Sequence, residues 1–391
     1  MRFYDSHTAT HKGGTVLEQL ISSDDHVIEP PALWTGRVAE GERERVPHVR
    51  RVDGVDRWVV DGRATVSFAG GMNTGQRFED PTKLRTDGTF DEVREGAYLP
   101  DVHMADNLAD GVIGAVLYPT LGLTMFRAIK AGTELDYVFS IYNDWMADFC
   151  SGSGGRLKGV AMINLDDPEV AVSELTRARQ LGLSGALIPT AMPPAIGYGD
   201  PRYDAVWAAA QDLAMPLSLH LGAVRYGAVG AGEDFDTATV SRTFFVTVDY
   251  WVKASLADII FAGVFERYPR LRVGSVEHEL GWIPFFLRTM DYTYTERQGN
   301  HLFPRLANGA MPSDHFRSNV FCSFQEDELG IQHRHEIGID NMMFGSDYPH
   351  TESTFPKSRE IMAERLAGVP ADEQLKIVYD NARKLYDFDV D

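Results

Sequence analysis

From about residue 100 onward, short apolar or β-branched runs alternate with longer amphipathic segments. That alternation is the pattern of repeated βα units around a parallel sheet. With one earlier run, eight can be read: QLISSD around Ile21, VIGAVLYP around Ala115, LKGVAMIN around Val160, SGALIP around Leu187, MPLSLHL around Leu217, LRVGSVE around Val273, NVFCSF around Val320 and NMMFGSD around Met343. Their near-continuous apolar character suits strands covered on both faces. The segments between them predict helices over 133–149, 167–181, 204–213, 253–267 and 372–386. Acidic residues at such starts oppose the positive end of the helix dipole. Residues 45–97 break the alternation: RRVDGVDRWVVDGRATVSFAGG carries Gly-punctuated β-type runs and reads as a hairpin-like insertion lying over the top of the barrel. The expected architecture is an α/β (β/α)8 TIM barrel spanning 1–391 as one domain, with a small β-rich insertion after the first strand. In that fold chemistry sits at the C-terminal ends of the strands.

Composition narrows the partners. The chain has 391 residues, 44% of them hydrophobic and 24% charged, the proportions of an ordinary globular protein. Asp and Glu number 57 against 37 Lys and Arg, for a net charge of −20. Such an excess repels phosphate backbones and anionic lipid headgroups, so neither nucleic acid nor a membrane is an expected partner. The two cysteines, Cys150 and Cys322, lie far apart without a CxxC spacing, which supports neither a disulfide framework nor a cysteine metal site. MRFYDSHTATHKGG lacks the apolar core of a signal peptide, and no long apolar run occurs; a cytoplasmic protein is the expectation. His7 and His11 read as part of a flexible leader.

The last residues of the runs hold the chemistry: Asp24 and His26 after the first, His220 at the fifth, Glu277 and His278 at the sixth, Asp347 at the eighth. Asp24 and His26 have the alternate-residue spacing that puts two side chains on one face of a strand. Adding His220 and Asp347 gives a mixed nitrogen and oxygen set suited to Zn²⁺, Mn²⁺ or another first-row divalent ion. Singly, a His in PLSLHLG is more often a hydrogen-bonded core residue and an Asp in GSD a helix cap. Their convergence at the ends of strands one, five and eight makes those readings less economical.

ISSDDHVIEPPALW, the SLHLG around His220, SVEHELGWIPFFLRTMD and NMMFGSDYPHTESTFPKSRE resemble the amidohydrolase-related family. That branch of the amidohydrolase superfamily includes the metal-dependent decarboxylases of aminocarboxymuconate semialdehyde and of hydroxybenzoates. The resemblance runs from about residue 20 to NARKLYDFD. It implies a distorted (β/α)8 barrel holding one catalytic divalent ion per chain, zinc foremost and manganese as the alternative, in a homodimer. By the same resemblance Asp24 and His26 are the strand-one ligands, His220 the strand-five ligand and Asp347 a strand-eight ligand that also handles protons. His278, six residues before Pro284, falls where the decarboxylases carry a catalytic histidine. The fourth strand ends in ALIPT, without the Lys or Glu that bridges two ions in binuclear relatives, which favours a mononuclear site.

Two reactions fit these residues. One is non-oxidative decarboxylation of a small carboxylated aromatic or cyclic substrate, which the position of His278 favours. The other is hydrolysis of an amide, ester, lactone or ring carbonyl by a metal-activated water whose pKa falls toward about 7; a hydratase is a third possibility. Arg51 and Arg225, with Arg50 and Arg57 as further guanidinium candidates, could fork onto a substrate carboxylate, and Trp282 and Glu277 could contact the substrate. Trp34, Tyr118 and Phe126 could line a pocket for a ring or simply belong to the core. His350, Glu352 and Glu29 stand near the proposed ligands as candidates to orient them. A nicotinamide enzyme is excluded by the first strand leading into DDHVIEPP rather than a glycine-rich turn.

Overall fold

The computed structural model describes residues 17–228, 243, 246–297 and 305–390; His7 and His11 lie outside them. All eight expected strands form. They are β1 (Leu20–Val27), then, after an insertion containing β2 (His48–Val52), β3 (Val55–Val60) and β4 (Arg63–Ala64), the strands β5 (Val112–Pro119), β6 (Leu157–Met162), β7 (Gly185–Ile188), β8 (Leu217–His220), β9 (Val273–Val276), β10 (Val320–Phe324) and β11 (Met342–Phe344). The barrel strands follow one another in chain order, β1-β5-β6-β7-β8-β9-β10-β11. Each described pairing between them is parallel. Helices in the connections supply the outer layer. Every residue of β5 is buried, as strands covered on both faces require.

The seam where β11 returns to β1 is made past the regular ladder. Asp347 N–H donates to the Asp24 carbonyl at 2.7 Å and His26 N–H to the Tyr348 carbonyl at 2.6 Å. A Cβ on Gly345 would lie 2.6 Å from both Asp24 Cβ and Ser323 Oγ, so only glycine lets the end of β11 come this close. On its other side, β1 shifts register against β5 between Ser22 and Asp25. A bulge of this kind adds a residue to one strand and re-aims its side chains.

Helices form over Gly132–Ser151, Pro168–Gln180 and Asp204–Asp212, close to the expected bounds. Asp167 caps the second, accepting from the backbone N–H of Glu169 and Val170. The helix expected over 253–267 is two, Asp249–Phe261 and Val264–Arg267, separated at Gly263 with φ +68°. The helix expected over 372–386 contains a π-helical segment, Lys376–Asp380. No helix of the described residues is long and apolar enough to cross a membrane.

The insertion is half strand and half helix. Strands β2, β3 and β4 make a separate antiparallel sheet, but the residues beyond it form short helices, Ala69–Met72 and Gln76–Glu79, and 3-10 turns. Short runs punctuated by glycine leave strand and turn poorly separated in sequence. The insertion packs on the C-terminal end of the barrel: Thr74 Oγ1 donates to the Pro349 carbonyl at 2.6 Å, Arg63 to the Ala128 carbonyl at 3.0 Å, and Arg77 pairs with Glu326.

Candidate metal centre

Four of the expected residues meet at this end of the barrel, all of them buried. His220 Nε2 lies 3.2 Å from His26 Nε2 and 3.3 Å from Asp24 Oδ1, and His26 Nε2 lies 3.5 Å from Asp24 Oδ1 and 3.4 Å from Asp347 Oδ1. The backbone fixes the chemistry of both rings. His26 Nδ1–H donates to the Pro119 carbonyl at 2.8 Å and His220 Nδ1–H to the Leu221 carbonyl at 2.8 Å. In a neutral imidazole the other nitrogen then carries a lone pair. Burial, reinforced by neighbouring His350 and His220, pushes His26 down to about 4, so at neutral pH it is uncharged. Two ring nitrogens 3.2 Å apart, with carboxylate oxygens beside them, form a compact set of donor atoms able to close around one cation. Asp24 Oδ2 and Asp347 Oδ2 are also buried without a hydrogen-bond partner. Buried polar atoms are seldom left so. The donor set therefore fits a divalent ion.

Glu277, expected beside the substrate, is placed within this cluster instead. Its Oε2 lies 3.5 Å from His220 Nε2, and with Asp24, His26 and His220 it offers donor atoms that all fall within 4.8 Å of one another. Its backbone has φ +62°, and Asp347 has φ +60°. Residues other than glycine are held in this region at a cost of about 1–3 kcal/mol, a strain that concentrates at functional sites. Burial, then the charges of Asp347 and Asp24, pushes the Glu277 carboxyl well above its ordinary range.

His278 is 2% exposed, with Nδ1 3.3 Å from Ser275 Oγ. Burial pushes it down to about 3, with His220 adding to the effect, so it is a neutral imidazole at physiological pH. Trp282 does not present its polar end to a ligand. Its indole N–H is shared between the His278 carbonyl at 3.0 Å and the Glu279 carbonyl at 3.1 Å, which braces the turn carrying His278.

The arginines are a correction. Arg225 spends all of its N–H groups internally: Nε and Nη2 on Asp166, Nη1 on the carbonyls of Phe126 and Ile129, and Nη2 again on the carbonyl of Lys130. No donor remains for a substrate. Arg51 forks onto Asp56 at 2.7 and 2.8 Å on the insertion sheet, with its side chain 55% exposed. Arg50 pairs with Glu44 and Arg57 with Asp87. Trp34, Tyr118 and Phe126 are core residues, although Tyr118 packs its ring 4.9 Å from that of His220. Glu29 accepts from the N–H groups of Leu121 and Gly122 at the start of a helix.

His350 has a larger part than its sequence position conveyed. Its Nδ1–H donates to Asp347 Oδ1 at 2.7 Å, its Nε2 lies 2.8 Å from Thr120 Oγ1, and its ring stacks 4.0 Å from that of His26. The i, i+3 spacing from Asp347 in GSDYPH was the available signal; Thr120 had none.

Comparison with known proteins gives the family. The family model described as Amidohydrolase matches residues 115–307 and 315–388. The chain belongs to the amidohydrolase family. Among curated relatives of this amidohydrolase, the gamma-resorcylate decarboxylase of Rhodococcus jostii strain RHA1 is 27% identical over 267 residues, covering 63% of this chain and 75% of that enzyme. Among solved structures, an amidohydrolase from Mycobacterium avium subsp. paratuberculosis K-10 superposes with a TM-score of 0.76 at 22% identity, covering 94% of this chain and 97% of that one. The 5-carboxyvanillate decarboxylase of Novosphingobium aromaticivorans, crystallised with manganese and 4-hydroxy-3-methoxy-5-nitrobenzoic acid, superposes with a TM-score of 0.66 at 18% identity, covering 98% of this chain and 100% of that one.

Proposed function

We propose that this amidohydrolase is a metal-dependent, non-oxidative decarboxylase of a small aromatic carboxylate. The observation that carries the reading is the pairing of an anion-lined, cation-demanding centre with a buried neutral histidine, His278, next to it. The activities named for its relatives, gamma-resorcylate and 5-carboxyvanillate decarboxylation, support it.

Asp24, His26, His220 and Asp347 are the residues that would hold one divalent ion. Bound there, such an ion supplies Lewis-acid polarisation and an anchor for the substrate's carboxylate and adjacent oxygen. The chain's own groups then manage the proton. Asp347 first takes the proton of the ring hydroxyl beside the substrate's carboxylate and then delivers it to the ring carbon that carries the carboxylate; the bond to that carboxylate breaks, its electron pair restores the ring, and CO₂ leaves with the product as the phenolate. His350 holds the Asp347 carboxylate in place through Oδ1, leaving Oδ2 without a protein partner. His278, uncharged, donates a hydrogen bond to the substrate without adding a charge of its own. Near-complete burial of Asp347 and His278 keeps bulk water from competing for the proton.

Zinc, the ion expected from the sequence, and manganese, the ion bound by the Novosphingobium enzyme, both suit imidazole and carboxylate donors. Metal analysis of the purified protein decides between them. We infer further that the enzyme acts as a cytoplasmic homodimer. Its two cysteines are free, as a reducing compartment allows, and sedimentation of the purified chain tests the dimer. The test of function is a screen of hydroxybenzoates and muconate-like acids for CO₂ release, run beside lactone, ester and amide hydrolysis. Metal-dependent CO₂ release supports the reading. Hydrolysis without CO₂ release from any acid refutes it.

A further inference from the structure

We propose that Glu277 is an additional ligand of the metal ion, the one on the open side of the centre, and that the carboxylate of an acidic substrate takes its place. This rests on the reading of Asp24, His26, His220 and Asp347 as a metal centre. It adds to that set a residue supplied by the turn after β9.

Geometry is the first support. Glu277 Oε2 faces His220 Nε2 at 3.5 Å, and with Asp24, His26 and His220 it supplies donor atoms that all fall within 4.8 Å of one another. Four potential ligand atoms gathered this closely leave one place for a cation among them. Charge is the second. Among the described residues, the groups within ion-pair distance of Asp24, Glu277 and Asp347 are histidines rather than Lys or Arg, and the buried Oδ2 atoms of Asp24 and Asp347 lack partners. Three carboxylates drawn together without a guanidinium or ammonium need a cation from elsewhere. Backbone strain is the third: Glu277 is held at φ +62°, which aims its side chain at the centre.

Position decides which ligand is exchangeable. The side chains of Asp24 and Asp347 are each 1% exposed and that of Glu277 is 21% exposed. An entering anion meets Glu277 first. A divalent ion held by three carboxylates carries a net negative site charge, which disfavours a fourth carboxylate. Exchange of Glu277 for the substrate's carboxylate keeps the charge constant.

The test compares wild type with Glu277→Gln and Glu277→Asp, stripped of metal and titrated with Mn²⁺ alone, and then, metal-loaded, with 2,6-dihydroxybenzoate. For Glu277→Gln we expect Mn²⁺ affinity to fall about 10- to 100-fold. The metal-free melting temperature should rise, because an uncompensated carboxylate is gone, and the dihydroxybenzoate should bind more tightly because no ligand has to leave. Glu277→Asp keeps the charge and shortens the arm, and is expected to weaken Mn²⁺ without raising the metal-free melting temperature. Equal Mn²⁺ affinity in wild type and Glu277→Gln overturns Glu277 as a ligand while leaving the centre intact. Weaker acid binding by metal-loaded Glu277→Gln overturns the exchange. Failure of the wild type itself to bind Mn²⁺ or Zn²⁺ refutes the underlying centre instead.

Discussion

Two buried charged clusters in this molecule are built on opposite plans. Around Arg225 every N–H group has an acceptor, and the guanidinium is matched by Asp166. At the barrel mouth Asp24, Glu277 and Asp347 gather beside two imidazoles whose Nε2 atoms face each other, and buried oxygens go without partners. The first cluster is closed. It ties the carbonyls of residues 126, 129 and 130 to the segment after β8 and leaves nothing for a ligand. The second is balanced only when something cationic is added. Buried polar groups that are fully paired hold a fold together, whereas those left unpaired at fixed geometry are where a ligand belongs.

Within the open cluster the nitrogen donors and the oxygen donors are held differently. His26 and His220 are oriented by backbone carbonyls, so their Nε2 atoms point inward whether or not an ion is present. The carboxylates are drawn in against their mutual repulsion, and Glu277 and Asp347 sit on strained backbone. The imidazoles fix the geometry of the centre, and the carboxylates leave it short of positive charge.

The largest break in the contrast is to open the second cluster further. His220→Ala removes the nitrogen that lies 3.2 Å from His26 and 3.3 Å from Asp24. Metal content is expected to fall from about one ion per chain toward none, and activity with it. Metal analysis and CO₂ release measure the two outcomes. Retention of a full ion together with turnover means that the facing nitrogens do not mark the centre.

A sharper cut separates binding from turnover. His278 Nδ1 lies 3.3 Å from Ser275 Oγ, outside the group of facing donor atoms formed by Asp24, His26, His220 and Glu277. His278→Gln is therefore expected to keep its metal and to lose turnover by about 10²- to 10⁴-fold, the usual range for a positioned proton-handling group. Loss of the ion instead makes His278 a ligand and redraws the open cluster around it.

Breaking the closed cluster has a different signature. Arg225→Ala strands Asp166 and three backbone carbonyls. Because Asp166 is 30% exposed and is rehydrated in part, the cost is expected near about 3 kcal/mol, the low end for half of a buried pair. It is read as a lower denaturant midpoint with unchanged slope, with metal affinity of the folded protein retained. Metal loss without loss of stability places Arg225 in the site after all.

What the chain made legible follows from how local each signal is. The strands were visible because a strand buried on both faces writes its own apolar run, as the fully buried β5 does. Asp24 and His26 were visible because two ligands on one strand have a fixed spacing. The role of Arg225 was not, because its hydrogen-bond partners lie 59 to 99 residues away and most are backbone carbonyls, which every residue possesses. Glu277 was read as a substrate contact, and its place beside His220 was not legible, since the turn after β9 that carries it inward depends on a positive φ that no residue type announces. The helical half of the insertion escaped for a similar reason: Ala69–Met72 and Gln76–Glu79 are four residues each, too short for a 3.6-residue period to show.

The smallest expected effect completes the contrast. Arg51 and Asp56 form a bidentate pair like that of Arg225 and Asp166, but the Arg51 side chain is 55% exposed. Water screens the guanidinium, but Asp56 is buried and keeps only the Phe90 N–H when Arg51 is removed, so Arg51→Ala is expected to cost about 1.5 kcal/mol, the low end for a hydrogen bond to a charged group. If Arg51 instead recognised a substrate carboxylate, the same substitution would raise KM with kcat unchanged, because a uniform binding contact would be lost. Steady-state kinetics beside a melting curve tells the two apart. An unaltered KM leaves a cation at the centre, rather than any of these arginines, as the recognition element for the substrate's charge.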